Sequence, residues 1–222
     1  HKKIMTMLKI PLVAQAIYPF ALIILSSVLA TAQEVSSFVD TRDQQTYEIV
    51  SYALPDSTLV FSDQDEYGTY LNGKSESFKV SFEDGLPPSM TWMTQNLNFE
   101  MAESKCKYDS DSNCQSFGRL YTWNTAINAC PEGWHLPSDE EWYLLAYLYG
   151  GVANAGQHLK STNLGGTNES LFNVRKPSIF WSSDELDATS ALDWKVNFRW
   201  VKLQRWKGGK ELYNSVRCVR DY

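Results

Sequence analysis

The chain has 222 residues, 43% hydrophobic and 21% charged, a composition that supports a substantial packed core and excludes a disordered or collagen-like polymer. Twenty Lys and Arg against 26 Asp and Glu give a formal charge of −6, which argues against nucleic acid as a general partner. Eight Trp, twelve Tyr and ten Phe are many for this length; such rings either fill a core or offer flat apolar faces to sugars.

Residues 1–32 read as an export signal. Lys2, Lys3 and Lys9 make a basic start, Phe20–Leu29 is an apolar run, and Ala30-Thr31-Ala32 has the small-x-small pattern that precedes a cut, here before Gln33. A membrane anchor fits less well, because Pro11, Gln15 and Pro19 interrupt the run and no basic residues flank its far end. The expectation is a secreted or cell-surface chain, extracellular or periplasmic, without a stable membrane span, in which residues 33–222 form a single domain.

Within that domain, Ser36–Ala53 predicts a turn and a strand, with Tyr47, Ile49 and Ser51 on one face and Val50 and Tyr52 on the other. From about residue 53 to 88, short β-prone pieces alternate with Gly, Pro, Asp and Ser, as in an inserted hairpin or long loop. Thr91–Glu100 is a second strand-like piece. Trp123, Ala126, Ile127 and Cys130 then recur at helical spacing, with Thr122 as N-cap and Pro131 and Gly133 as stops.

The stretch CPEGWHLPSDEEW, residues 130–142, leads into a second helix. Ser138 and Glu141 have the spacing of a capping box, Asp139 and Glu140 favour the positive end of the helix dipole, and Trp142, Leu145, Ala146 and Tyr149 form one apolar stripe that Gly150-Gly151 ends. His135 has no nucleophile or acid at catalytic spacing and reads as a packed, hydrogen-bonded side chain. Ile179–Ser183 and Asp193–Trp200 predict strands, the latter with Trp194, Val196, Phe198 and Trp200 on one face and a bulge or turn at Trp200–Lys202. KGGK, Lys207–Lys210, predicts a tight hairpin turn, and Ser215–Asp221 a closing strand that turns Cys218 inward.

Four cysteines, at 106, 114, 130 and 218, allow three pairings in an oxidising compartment. Closure of the short polar loop between Cys106 and Cys114 is local, which leaves Cys130 for Cys218. On the chain-entropy account the long bridge is worth about 4.6 kcal/mol and the short one about 2.6. No CxxC spacing supports a metal site, no cofactor motif is present, and Asp109–Asn113 and Asp63–Glu66 each lack the Gly and distant Glu of a calcium loop.

Two stretches are candidate ligand surfaces. Between Lys195 and Tyr222 stand eight basic and two acidic residues, with Trp200, Trp206 and Tyr213 interleaved among Arg199, Lys202 and Arg205; stacking plus charge there would suit a polysaccharide or an acidic partner. The bland reading is an exposed hairpin whose lysines discourage edge pairing. The second candidate comprises Asn173, Arg175, Trp181 and Glu185.

Phe38–Val50, Thr91–Phe99, Gly118–Trp142, Leu159–Ser161, Phe180–Ser183 and Ser215–Asp221 together resemble the Fibrobacter succinogenes major paralogous domain family in order and spacing. That resemblance implies a secreted or surface-associated protein and sharpens the address more than the activity. Two departures stand out: the insertion at about 53–88, and Thr162–Ile179 in place of a longer Gly-rich segment. At the level of fold, the order of parts is similar to C-type lectin-like domains, which implies an α+β domain with two helices, a small and mostly antiparallel sheet, and a Cys130–Cys218 staple. The Glu-Pro-Asn and Trp-Asn-Asp calcium motifs of such lectins are missing. The expected function is a non-catalytic binding module for carbohydrate or another surface polymer. The alternatives are a structural or protein-interaction component of the bacterial envelope, and a catalyst related to formylglycine-generating enzymes, which would need a reactive cysteine.

Overall fold

A computed structural model describes residues 33–54, 61–63, 78–80, 87–176 and 178–220. The segment read as an export signal and most of the 53–88 insertion, including Gln64–Glu66, lie outside the described residues.

The first strands are β1 (Gln33–Val39) and β2 (Thr46–Ala53), a hairpin closed at Asp40. Asp40 is fully buried there because Arg42 donates to its carboxylate from the backbone N–H at 3.0 Å and from Nη2 at 2.7 Å. Within the insertion, β3 (Phe61–Asp63) pairs with β4 (Phe78–Val80). The chain returns as β5 (Ser89–Met93), with Ala53 opposite Ser89 and the Leu54 N–H bonded to the Pro88 carbonyl. β2 and β5 are therefore paired up to the point where the insertion begins and ends.

The predicted alternation along β2 has a structural meaning. Tyr47 and Ile49 join Met93 in one apolar cluster, whereas Val50 and Tyr52 join Met90 and Trp92 in another. The β1-β2-β5-β12 sheet, completed by β12 (Val219–Arg220), thus separates two cores and is buried on both faces at its centre.

The helices are more numerous than the two expected. Among the described residues there are four α-helical segments: α1 (Asp111–Phe117), α2 (Trp123–Ala126), α3 (Asp139–Leu148) and α4 (Val152–Leu159). Asp109–Asn113 is accordingly the entrance to a helix inside the disulfide loop. α2 stops after one turn, its bonding tightening to Asn128 N–H→Thr125 and Ala129 N–H→Ala126, and leaves Ile127 exposed. Asn, Thr and a following Pro give this segment little helix propensity. The α3 capping box is present, with Glu141 N–H donating to Ser138 Oγ at 3.2 Å and Ser138 N–H to Glu141 Oε2 at 2.7 Å. Gly151, at φ +77°, ends one helix and caps the next, so α3 and α4 are neighbours. His135 is half-exposed, Nε2 lying 2.8 Å from Glu141 Oε1, so it is hydrogen-bonded but not packed.

The second sheet runs β10-β9-β8-β11-β7-β6. Its strands are β6 (Ser104–Lys105), β7 (Leu120–Tyr121), β8 (Ser178–Asp187), β9 (Ser190–Val196), β10 (Gln204–Gly209) and β11 (Asn214–Ser215), antiparallel except for β8 beside β11. β9 ends at Val196, so Phe198 and Trp200 do not extend its buried face and stand about half exposed in the following turn. Gly208 and Gly209 lie in β10 instead of a turn. A Cβ on Gly208 would come within 2.5 Å of Asp193 Oδ2 and 2.9 Å of the Trp181 ring, so close packing, not chain reversal, accounts for this glycine.

Both disulfides have the expected partners, Cys106–Cys114 and Cys130–Cys218, and the described chain is a mixed α+β structure. The last segment changes sheets: Ser215 pairs beside Phe180, Val216 O accepts from Leu97 N–H, Cys218 O accepts from Met93 N–H, and Val219 pairs with Trp92.

Asp139 carries more than a favourable dipole interaction. It is 1% exposed and accepts Arg205 Nε at 2.7 Å and Trp194 Nε1 at 2.9 Å, tying the start of α3 to β9 and β10. Burial pushes its carboxyl up to about 6, against the Arg205 guanidinium, which pulls it down. Asp193 is also pushed up to about 6 by burial, and its Oδ1 has no hydrogen bond among the described residues; Lys195 lies 3.7 Å away and only partly offsets the shift.

These two carboxylates should respond oppositely to amidation. Asp139→Asn leaves Arg205 as a buried cation and is expected to cost about 3–5 kcal/mol in urea unfolding. Asp193→Asn removes a charge that burial disfavours. A folded-state value of about 6 against an ordinary 3.8 means that stability falls as pH rises through that window. Asp193→Asn should therefore raise the urea midpoint at pH 7 and leave it unchanged at pH 4; a lower midpoint at both would contradict the assignment.

Candidate functional site

The aromatic and basic residues expected to form one surface are dispersed by the fold. Trp206, on the edge strand β10, is 41% exposed, but Lys195 Nζ sits 4.6 Å over its ring; Trp200 is 45% exposed with Lys202 Nζ at 5.9 Å. Arg199 lies over its neighbour Phe198, and Arg205 is committed to Asp139. Tyr213 is paired with Lys105 of β6, at the opposite edge of the sheet. Of the second set, Trp181 is fully buried with its Nε1 donating to the Tyr121 carbonyl at 2.8 Å, and exposed Glu185 pairs with Lys210. Asn173 and Arg175 remain, and the fold brings them to a cleft.

That cleft, of about 170 Å³, lies where four segments meet: the start of β2, the stretch that follows β5, the C-terminal half of α1, and the approach to β8. Each wall has a specific tether. Asn96 donates from Nδ2 to the Phe117 carbonyl at 2.9 Å and accepts Arg217 Nε at Oδ1, also at 2.9 Å, which joins the post-β5 stretch to α1 and to the last segment. Arg175 Nη2 donates to the Ser116 carbonyl at 2.7 Å, satisfying a helix-end acceptor that α1 leaves unpaired. Gly118 has φ +76°, and a Cβ there would lie 2.7–2.8 Å from Asn96 and Leu97, so only glycine lets α1 approach this closely. Cys114 lines the cleft and fixes α1 through its disulfide to Cys106.

The lining is polar in an unusual way. Gln45, Gln95, Asn96, Asn98, Gln115 and Asn173 supply carboxamides, Arg175, Lys176 and Arg217 supply cations, and no Asp or Glu takes part. Much of this capacity is unused: among the described residues the side chains of Gln115 and Asn173 make no hydrogen bond, and buried Asn98 Oδ1 has no partner. The backbone of Asn173, at φ +56°, is held by its N–H bond to Asn168 Oδ1. Arg217 is 3% exposed, its guanidinium resting 4.0 Å over Phe172, and burial pulls it down to about 9, so it stays cationic at neutral pH.

Such a site can hold hydroxyls and oxyanions, but its features are weakly marked in sequence. Its six amides come from four separate stretches of the chain, none of them distinctive on its own. Of its lining, only Asn173 and Arg175 stood out in the sequence. No group of His, Cys, Asp and Glu among the described residues is arranged to hold a metal ion, and no described helix is long and apolar enough to cross a membrane.

Residues 88–220 match the Fibrobacter succinogenes major domain, and the chain belongs to that family. No curated protein and no solved structure matches it. The matched region contains every cleft wall except Gln45 and Thr46.

Gly118→Ala tests the tight wall. Strain at positive φ plus contact with two backbone carbonyls is expected to cost about 2 kcal/mol or more in chemical unfolding. A loss below half a kcal/mol would show that α1 can move away from Asn96.

Proposed function

We propose that this protein is a secreted or cell-surface, non-catalytic binding module that receives one residue of a polysaccharide in the amide-lined cleft. The observation that carries this reading is the set of uncommitted carboxamides, Gln115 and Asn173 with the second half of Asn98, gathered around a cleft without acids. A carboxamide offers a donor pair and an acceptor, which suits sugar hydroxyls that must do both. Pockets that enclose a whole drug-sized ligand measure about 300–1,000 Å³. At about 170 Å³ the cleft suits a single ring or chain end.

Two further features support this reading. The order of parts resembles that of a C-type lectin-like domain: a helical turn followed by Cys130, the capped helix α3, Trp-bearing strands, and Cys218 leading into the final strand. All four cysteines are in disulfides, which leaves no thiol for chemistry of the formylglycine-generating kind. Export would suit a domain that depends on two disulfides. A role in envelope protein contacts is the second reading; it rests on the half-exposed Phe198, Trp200 and Val201, close together in one turn.

A glycan array followed by pull-down on insoluble polysaccharide distinguishes them. The Gln115→Ala/Asn173→Ala pair should lose tenfold or more in affinity, from two hydrogen-bonding groups worth about 0.5–1.5 kcal/mol each. Trp200→Ala/Trp206→Ala should bind as the parent does. The opposite pattern would move the site to the aromatic turn, and no retained glycan together with a crosslinked envelope protein would favour the second reading.

A further inference from the structure

Among the described residues the cations around the cleft have no counter-charge. Lys176 is depressed to about 8, first by burial and then by Lys107 and Arg175; Arg217 feels burial and Arg175 in the same direction. Among the described residues, none of Lys107, Arg175, Lys176 and Arg217 has a carboxylate within ion-pair distance, although the chain carries 26 acids. Other basic side chains of the chain do find one: Arg119 meets Glu100, Lys207 meets Asp187 and Lys210 meets Glu185. Glu48, which accepts from Thr94 Oγ1 at 3.1 Å, lies outside the lining.

The contacts these cations do make orient them without neutralising them. Lys176 Nζ rests 3.6 Å over the Phe117 ring, and Arg175 spends one N–H on the Ser116 carbonyl. A guanidinium has five N–H donors in a planar fork, so Arg175 keeps several for an oxyanion. Mutual repulsion among like charges is unfavourable in the empty cleft and is relieved when an anion enters, so it acts as selectivity for charge.

We infer that the sugar residue taken by the cleft is anionic, bearing a carboxylate or sulfate that sits against Arg175 and Lys176 while the carboxamides engage its hydroxyls. This rests on the preceding reading of the cleft as a saccharide site and names the class of saccharide.

The test is calorimetric titration of the whole protein with three trisaccharides: galactose, galacturonic acid, and galactose sulfated at its primary hydroxyls. At 50 mM salt and pH 7 at least one anionic form should bind tenfold or more tightly than the neutral one, and the gap should narrow at 500 mM salt. Whichever anion binds better identifies the oxyanion. Arg175→Gln and Lys176→Gln, each checked for an unchanged melting temperature or a higher one, should bring the gap between anionic and neutral forms below threefold. Between pH 7 and 9.5 the gap should shrink as Lys176 and then Arg217 discharge, and Lys176→Arg should lessen the loss below about pH 8.5. Equal affinity for neutral and anionic forms would overturn the charge selectivity and leave the saccharide site standing. Failure of all three to bind would overturn both.

Discussion

The fold depends on how its last segment is held. Cys130–Cys218 closes a loop of 88 residues, and beside it His135 and Val219 exchange both backbone hydrogen bonds, at 2.9 and 3.0 Å. The turn before α3 is thereby fixed to β12 covalently and by a ladder. Between β11 and β12 the chain crosses from one sheet to the other, and its carbonyls at Val216 and Cys218 find donors in Leu97 and Met93, so no polar backbone is abandoned on the way. Arg217 lies in this crossing, next to the half-cystine. Its guanidinium reaches the cleft only because the segment on either side is clamped, and the bridge that orders the core thus also places a charge in the site.

Two buried guanidiniums in this protein are handled in opposite ways. Arg205 meets a carboxylate, Asp139, which is itself held by the Trp194 indole and sits in the first turn of α3, where negative charge is favoured. That arrangement is closed: the charges satisfy each other and lock a helix start to two strands. Arg217 meets an amide oxygen, the Phe172 carbonyl and two aromatic rings, none of which carries a full negative charge. Desolvation of a cation without a counterion is unfavourable, and a core optimised for stability alone would have placed an acid or an apolar residue there. Among the described residues no acid stands against Arg217, Arg175 or Lys176, and on the proposed reading a bound anion supplies the missing charge. Net charge points the other way, since an acidic protein repels anions at long range, and the cleft must act through contact more than through steering.

What the sequence made legible were features whose determinants are local. The Ser138/Glu141 capping box involves groups three residues apart, the alternation of Tyr47, Ile49, Val50 and Tyr52 needs only the strand period, and the cysteine pairing followed from loop length. The signals that failed were those whose meaning depends on distant partners. KGGK resembles a turn until Trp181 and Asp193 are seen beneath Gly208. Asp139 resembles an ordinary helix-start acid until Arg205, 66 positions later, is found against it. α1 and α4 lack an apolar stripe long enough to announce them and are held by a disulfide and by a shared glycine boundary instead. The cleft fails to show for the same reason: six Asn and Gln residues in four unconnected stretches form no pattern in one dimension.

The abundance of aromatic residues pointed toward a stacking surface, yet the fold uses most of them as core. Trp92, Trp123, Trp134, Trp142, Trp181 and Trp194 are all buried, with Trp92 and Trp142 at 4.8 Å and Trp142 also against Phe172, Phe180 and Trp194. Three of the indole N–H groups are spent as structural donors, from Trp123 to Ser182, from Trp181 to Tyr121 and from Trp194 to Asp139. The two exposed indoles each have a lysine above the ring. A domain with short strands and several long connections has few aliphatic layers to stack, and large flat rings with one polar edge can fill such a core while also pinning the loops that cross it. With the rings committed to that task, the proposed recognition falls to other side chains, the carboxamides on the walls of the cleft and cations that meet no carboxylate among the described residues.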